Sequence, residues 1–181
     1  MKYYLLVLLL IAQNLYGLDA DAIRKIAGEP HSRENLVPEL KIYPDAREYK
    51  ITARSGSSAD DLQVGPEIIA TEKTVRGRYI VSTAKLPGAE NPMIMVVSYE
   101  KETDTFKKWV LLPDGMFASS TGLADFDKRT IAWTSDKADG GPPATVLAIE
   151  THSDDKSTWK DMTLQGGKVI AVSRGVAVKT K

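Results

Sequence analysis

The residues that could do chemistry in this 181-residue chain are few, and the first are serine–lysine pairs such as Ser82–Lys85 and Ser153–Lys156. A serine acyl-enzyme of that kind needs the two side chains one helical turn apart, so that the amine can take the hydroxyl proton. Ser82 falls in a strand-like segment, where positions three apart face opposite sides. Ser153 falls in a polar turn. Neither pair has the geometry the reaction requires. Metal chemistry is equally poorly supplied: His31 and His152 are the only histidines, cysteine is absent, and no zinc-ligand spacing occurs. His152 with Asp154 and Asp155 would make at most a loose cation site and reads better as a turn. Asp125 and Asp127, with Asp114, lack the following acid and glycine of a calcium loop. Carboxylates paired from distant strands stay open as glycosidase-type chemistry, because Glu67, Glu72 and Glu150 lie in or beside strands and could point inward. No G-x-S-x-G and no phosphate-cradling glycine loop is present. The expected cofactor set is empty, and an enzyme is the last of the readings.

The aromatic residues point to binding instead. Trp109, Trp133 and Trp159 each fall on a strand, joined by Tyr79, Tyr99, Phe106 and Phe117. Aromatics facing inward beside one or two basic groups can line an apolar pocket with a few orienting polar contacts. The candidate ligand-pocket residues are Arg78, Tyr99, Trp109, Trp133 and Arg174. The competing reading is core packing by the aromatics, with the arginines bridging strand ends.

These side chains must be positioned by short strands. Tyr49–Ala53, Glu67–Lys73, Arg78–Thr83, Met93–Tyr99, Phe106–Leu112, Met116–Thr121, Ile131–Ser135, Val146–Thr151, Trp159–Leu164 and Val169–Val178 alternate with turn signals such as Pro87-Gly88, Pro113-Asp114-Gly115 and Gly166-Gly167. That rhythm predicts an antiparallel all-β sandwich or barrel. Met93–Tyr99 is apolar on both faces, as a strand covered on both sides or lining a cavity would be. Ahead of the strands, Asp19 or Asp21 can cap a short helix through Ile23 and Ile26 that ends at Gly28. Residues 31–44 read as irregular, and Ser55–Asp61 and Asp136–Pro143 as long loops.

The totals bound the partners. With 24 basic and 24 acidic residues the formal charge is zero, which gives no basic footprint for nucleic acid. Lys73, Arg76 and Arg78, and Lys101, Lys107 and Lys108, read as solvated faces. Met1-Lys2 followed by the apolar run Tyr3–Ala12 has the form of a secretory signal, too short to span a bilayer, with cleavage expected after Gly17 or Ala20. Export without cysteines or an N-x-[ST] site suits a bacterial periplasmic or extracellular protein, not an integral membrane protein. The expected organisation is a signal peptide at 1–17, a helix and irregular lead-in at 18–44, and a β-barrel domain at 45–181.

One resemblance sharpens the fold. Gly77-Arg78-Tyr79, Tyr99-Glu100 with Thr103, Phe106 and Trp109, Asp114-Gly115 with Phe117, Ser120 with Gly122, and Thr130-Ile131 with Trp133 follow one another in a recognisable order. Thr158-Trp159, Gly167-Lys168-Val169 and Arg174 then look like a closing hairpin. In this respect the chain resembles a bacterial exported family of unknown function with a calycin-like (lipocalin-like) β-barrel. It departs at the first strand, Arg47–Ala53, which has Tyr49 where calycin barrels usually carry Gly-x-Trp. The resemblance implies a barrel with a ligand cavity and no reaction. The expected function is therefore a barrel holding a small apolar or amphipathic ligand; the alternative is an interaction or structural domain with a filled core.

Overall fold

The computed structural model describes residues 18–32, 34–45, 47–136 and 144–180. The expected signal peptide, and residues 137–143 of the loop anticipated at Asp136–Pro143, lie outside the described residues. The chain runs through helix α1 (Ala20–Gly28), a 3-10 turn (Pro38–Ile42) and the strands β1 (Glu48–Gly56), β2 (Gln63–Val64), β3 (Ile68–Val75), β4 (Tyr79–Ala84), β5 (Met93–Glu100) and β6 (Thr105–Leu111). It continues with β7 (Phe117–Asp125), β8 (Thr130–Ser135), β9 (Ala144–His152), β10 (Lys156–Gln165) and β11 (Lys168–Lys179). Strands β3 to β11 pair in sequence order, and β1 pairs with both β3 and β11. The result is a closed, ten-strand antiparallel barrel. Closure pairs the ten barrel strands on both sides, so that they need none of the edge protection an open sheet of this size would require. The two-residue β2 takes over pairing with β1 at Arg54 and Ser55, beyond the point where β3 leaves it.

Strand pairing sorts the side chains into two lanes. The inner lane includes Glu72, Ile80, Val97, Phe106, Gly122, Trp133, Glu150, Trp159 and Gly175, each set opposite a lane-mate on the next strand. The outer lane of β4, β5 and β6 carries Val81, Val96, Trp109 and Leu111, against which α1 packs Ile23 and Ile26. This is why β5 is apolar on both faces: one faces the barrel interior, the other the helix. Asp19 caps α1, its carboxylate accepting from the Ala22 amide at 2.7 Å. The helix's far end is latched by the Lys73 ammonium, which donates to the Ala27 and Glu29 carbonyls, and by the Arg76–Glu29 ion pair at 2.5 Å.

The lead-in also docks, and its turn has a job that residues 31–44 do not advertise. Leu40, Ile42 and Tyr43 insert among Ile80, Val97, Phe106, Ile131 and Trp133, plugging one end of the barrel. The plug runs close over the β3–β4 hairpin, where the Val37 amide donates to the Gly77 carbonyl at 2.8 Å. Gly77 has φ +64°, and a Cβ there would sit 2.1 Å from the Glu34 carbonyl oxygen. The position demands glycine for conformation and for space.

Candidate functional site

The two halves of the barrel interior differ in filling. At the plug end the inner-lane residues Tyr49, Ala70, Thr74, Ile80, Val97, Phe106, Ile131 and Trp133 are all buried. Gly122 belongs to this half, since a Cβ on it would lie 2.7 Å from the Trp133 ring. Toward the other end the inner-lane residues are mostly small, and most remain partly exposed although they face inward: Ala53, Ser82, Met95, Val110, Ala118, Ser120, Ser135, Ala148, Asp161 and Ser173. The interior is thus cup-like: tightly packed at the plug end, and lined by small, partly solvent-accessible side chains toward the other.

The floor of the cup is polar. Lys108 on β6 meets Glu150 on β9 at 2.6 Å, with the two side chains 13% and 17% exposed. The ammonium also lies over the Trp133 ring, 4.1 Å from its centroid, a favourable cation–π position. Below the pair, Tyr43 of the plug packs its ring 4.5 Å from that of His152, and His152 Nδ1 is 2.8 Å from Ser157 Oγ. The Tyr43 hydroxyl, Trp133 Nε1 and His152 Nε2 are buried and approach Glu150 without hydrogen-bonding geometry. One carboxylate thus gathers plug, β6, β8 and β9 around itself. Above it, Trp159 lies across Gly175, where a Cβ would come within 2.2 Å of the ring, and Asp161 accepts from the Ser173 hydroxyl at 2.5 Å.

The electrostatics follow from that arrangement. Burial pushes the Glu150 carboxyl up, but the Lys108 charge and hydrogen bond, with help from His152 and Trp133, outweigh it and hold the group below its ordinary value. Burial, reinforced by Glu150, raises the Tyr43 phenol well above its usual range. Burial drives His152 down to about 4 despite the pull of Glu150, so its imidazole is neutral at pH 7. Protonation of His152 therefore favours the unfolded chain, and stability present above pH 6.5 is lost as pH falls toward 4. Across that window wild type should lose roughly 3 kcal/mol relative to a His152→Gln variant, read by urea unfolding at a series of pH values.

The residues singled out from sequence do not gather in one place. Tyr99 and Trp133 are inner-lane but belong to the packed base, Tyr99 resting edge-on against Phe106 with ring centroids 5.1 Å apart. Trp109 is on the outer lane, under α1. Arg78 is exposed at the β3–β4 turn, and Arg174 is exposed on the outside of β11. Of the three inward-pointing glutamates considered, Glu72 and Glu150 do face in, Glu72 accepting from Ser82 at 3.0 Å, whereas Glu67 pairs outside with Lys50. The residues that sequence reading missed are Lys108, grouped there with solvated lysines, and Tyr43, His152 and Asp161. His152 is not a turn residue open to solvent: it is 5% exposed at the end of β9. The alternation of β6 and β9 carries the signal for Lys108 and Glu150, since each shares its strand's inner lane. Among the described residues no group of three or more His, Asp or Glu side chains could hold a metal ion, and no helix is long and apolar enough to cross a membrane.

The fold defines a closed antiparallel barrel compatible with the calycin class. In comparisons with known proteins, no family model matches the chain and no characterised protein is similar enough to count as a relative.

Proposed function

We propose that this is an exported binding protein whose barrel holds a small apolar or amphipathic ligand in its upper half, above Trp159 and the Lys108–Glu150 pair. The observation that carries the reading is the partly exposed inner lane of small side chains, set over a fully packed base. Met93, Met95, Val110 and Val146 supply apolar walls, and Trp159 supplies a flat surface for a ring or chain. Lys108 neutralises Glu150, and Asp161 on the inner lane adds a further carboxylate, so the cup suits a ligand with a neutral or cationic polar end rather than an acidic one. Export rests on the signal-like residues 1–17. Cleavage after Gly17 keeps the Asp19 cap on α1, whereas cleavage after Ala20 would remove it.

The second reading, an interaction domain, draws on the apolar side chains exposed outside the barrel, among them Val64, Leu123 and Ile149. A small neutral fluorophore, 1-aminoanthracene, separates the two. It should bind saturably, and Ser120→Trp, which fills the cup from its inner lane, should weaken it by about tenfold or more while the fold is retained. Equal binding by Ser120→Trp, or none by wild type, would overturn the cup reading.

A further inference from the structure

The outside of the barrel carries a feature that neither the cup nor the packing explains. Arg54 on β1 lies directly opposite Arg174 on β11, and Arg174 directly opposite Lys160 on β10. All three side chains are exposed. None of them is ion-paired or hydrogen-bonded to another side chain among the described residues. Like charges set opposite one another on adjacent strands destabilise a sheet. Here three are aligned with no compensating acid. They border a groove of about 850 Å³ on the outer face, whose wall is extended by Val64 of β2. The row beside the cations bears Thr52, Val176, Thr158 and Thr151, and Lys160 is followed in its own row by Ile149. The groove thus combines a cationic line, three hydroxyls and an apolar flank made by Val64, Ile149 and Val176.

We infer that this groove is a second binding site, for a single anionic amphiphile: a phosphate or carboxylate head lies along Arg54, Arg174 and Lys160, with its hydrocarbon against Val64, Ile149 and Val176. The charge row selects an anion, because an anion relieves a repulsion that the fold otherwise bears. Guanidinium groups bind such heads in bidentate fashion. The concave shape selects a whole small molecule over a flat membrane surface. Its charge preference is opposite to that of the cup, so the two sites sort ligands by the sign of the head group.

The test uses dodecyl phosphate below its micelle concentration, titrated calorimetrically into the full chain and into the triple variant Arg54→Gln/Lys160→Gln/Arg174→Gln. Saturable one-to-one binding that falls by about tenfold or more in the triple variant supports the site. The triple variant should meanwhile melt no lower than wild type, since it sheds a repulsion; a loss of binding with retained melting temperature therefore cannot be unfolding. Asp161→Asn, inside the cup, should leave dodecyl phosphate affinity unchanged. Three results would overturn the inference: no saturable binding by wild type, equal binding by the triple variant, or tighter binding by Asp161→Asn, which would move the ligand into the cup. Co-sedimentation with phosphatidylglycerol vesicles but not phosphatidylcholine vesicles, without one-to-one dodecyl phosphate binding, would assign the row to a membrane surface and equally contradict it.

Discussion

Lys108→Met should lower the unfolding free energy by about 3–5 kcal/mol, because it leaves the Glu150 carboxylate inside the barrel with no cation to face. The hydrophobic replacement keeps most of the contact with Trp133, so the loss reports on charge rather than volume. A double variant, Lys108→Met with Glu150→Leu, should be more stable than the Lys108→Met single variant, since removing both charges also removes their desolvation cost. The pH dependence has a definite sign. In wild type Glu150 is held below its ordinary value, so its contribution is present at neutral pH and fades as pH falls through that depressed value. In Lys108→Met the two largest lowering influences on the carboxyl are gone, only the weaker ones of His152 and Trp133 oppose burial, and the group moves upward. The variant's deficit is then largest at neutral pH and shrinks as pH falls toward the ordinary carboxyl range. Urea unfolding of wild type and both variants at pH 7 and at pH 5 reads all of this.

Trp133→Ala is the second large effect, about 3–5 kcal/mol for an indole removed from a packed interior. Trp133 is 2% exposed and touches plug and barrel together, so its loss should also weaken the seat of Tyr43. Trp109→Ala should cost a similar amount through a different element. Its ring lies under α1, and its removal should free the helix for proteolysis near Ile23 and Ile26 while the barrel core stays protected. Limited proteolysis with mass mapping separates the two variants: early cuts at the helix for Trp109→Ala, loosening at the plug for Trp133→Ala.

Much of this architecture was legible in the chain, for a simple reason. Each strand is short, alternates, and is bounded by residues with a turn preference, so ten of the eleven strands could be located from local chemistry alone. The helix cap was narrowed in the same local way to Asp19 or Asp21, and Asp19 takes it. What local chemistry does not supply is which lane of a strand faces in. Lys107 and Lys108 are neighbours in a basic run, yet one reaches Thr121 outside and the other Glu150 inside. Glu150 lies 42 positions away and reaches Lys108 only because the barrel closes. The same ambiguity scattered the pocket candidates: Trp109 and Trp133 look alike in sequence and face opposite sides of the wall. The plug was hidden for another reason. Pro38–Ile42 has neither a helical nor a strand period, so its apolar residues carry meaning only once a barrel end exists for them to fill.

The cup itself can be tested without knowing any ligand, because the chain has no cysteine and a single introduced thiol reports one position. Ser120→Cys changes one atom on the inner lane above the floor, and Ala70→Cys places the same group on the inner lane of the packed base, at a position 3% exposed. The measurement is the rate of iodoacetamide labelling in the folded protein under native conditions. Ser120→Cys should react at least about ten times faster than Ala70→Cys, whose thiol must wait for local opening. Equal, slow labelling at both positions would mean a barrel filled from end to end, and would contradict a ligand-holding interior.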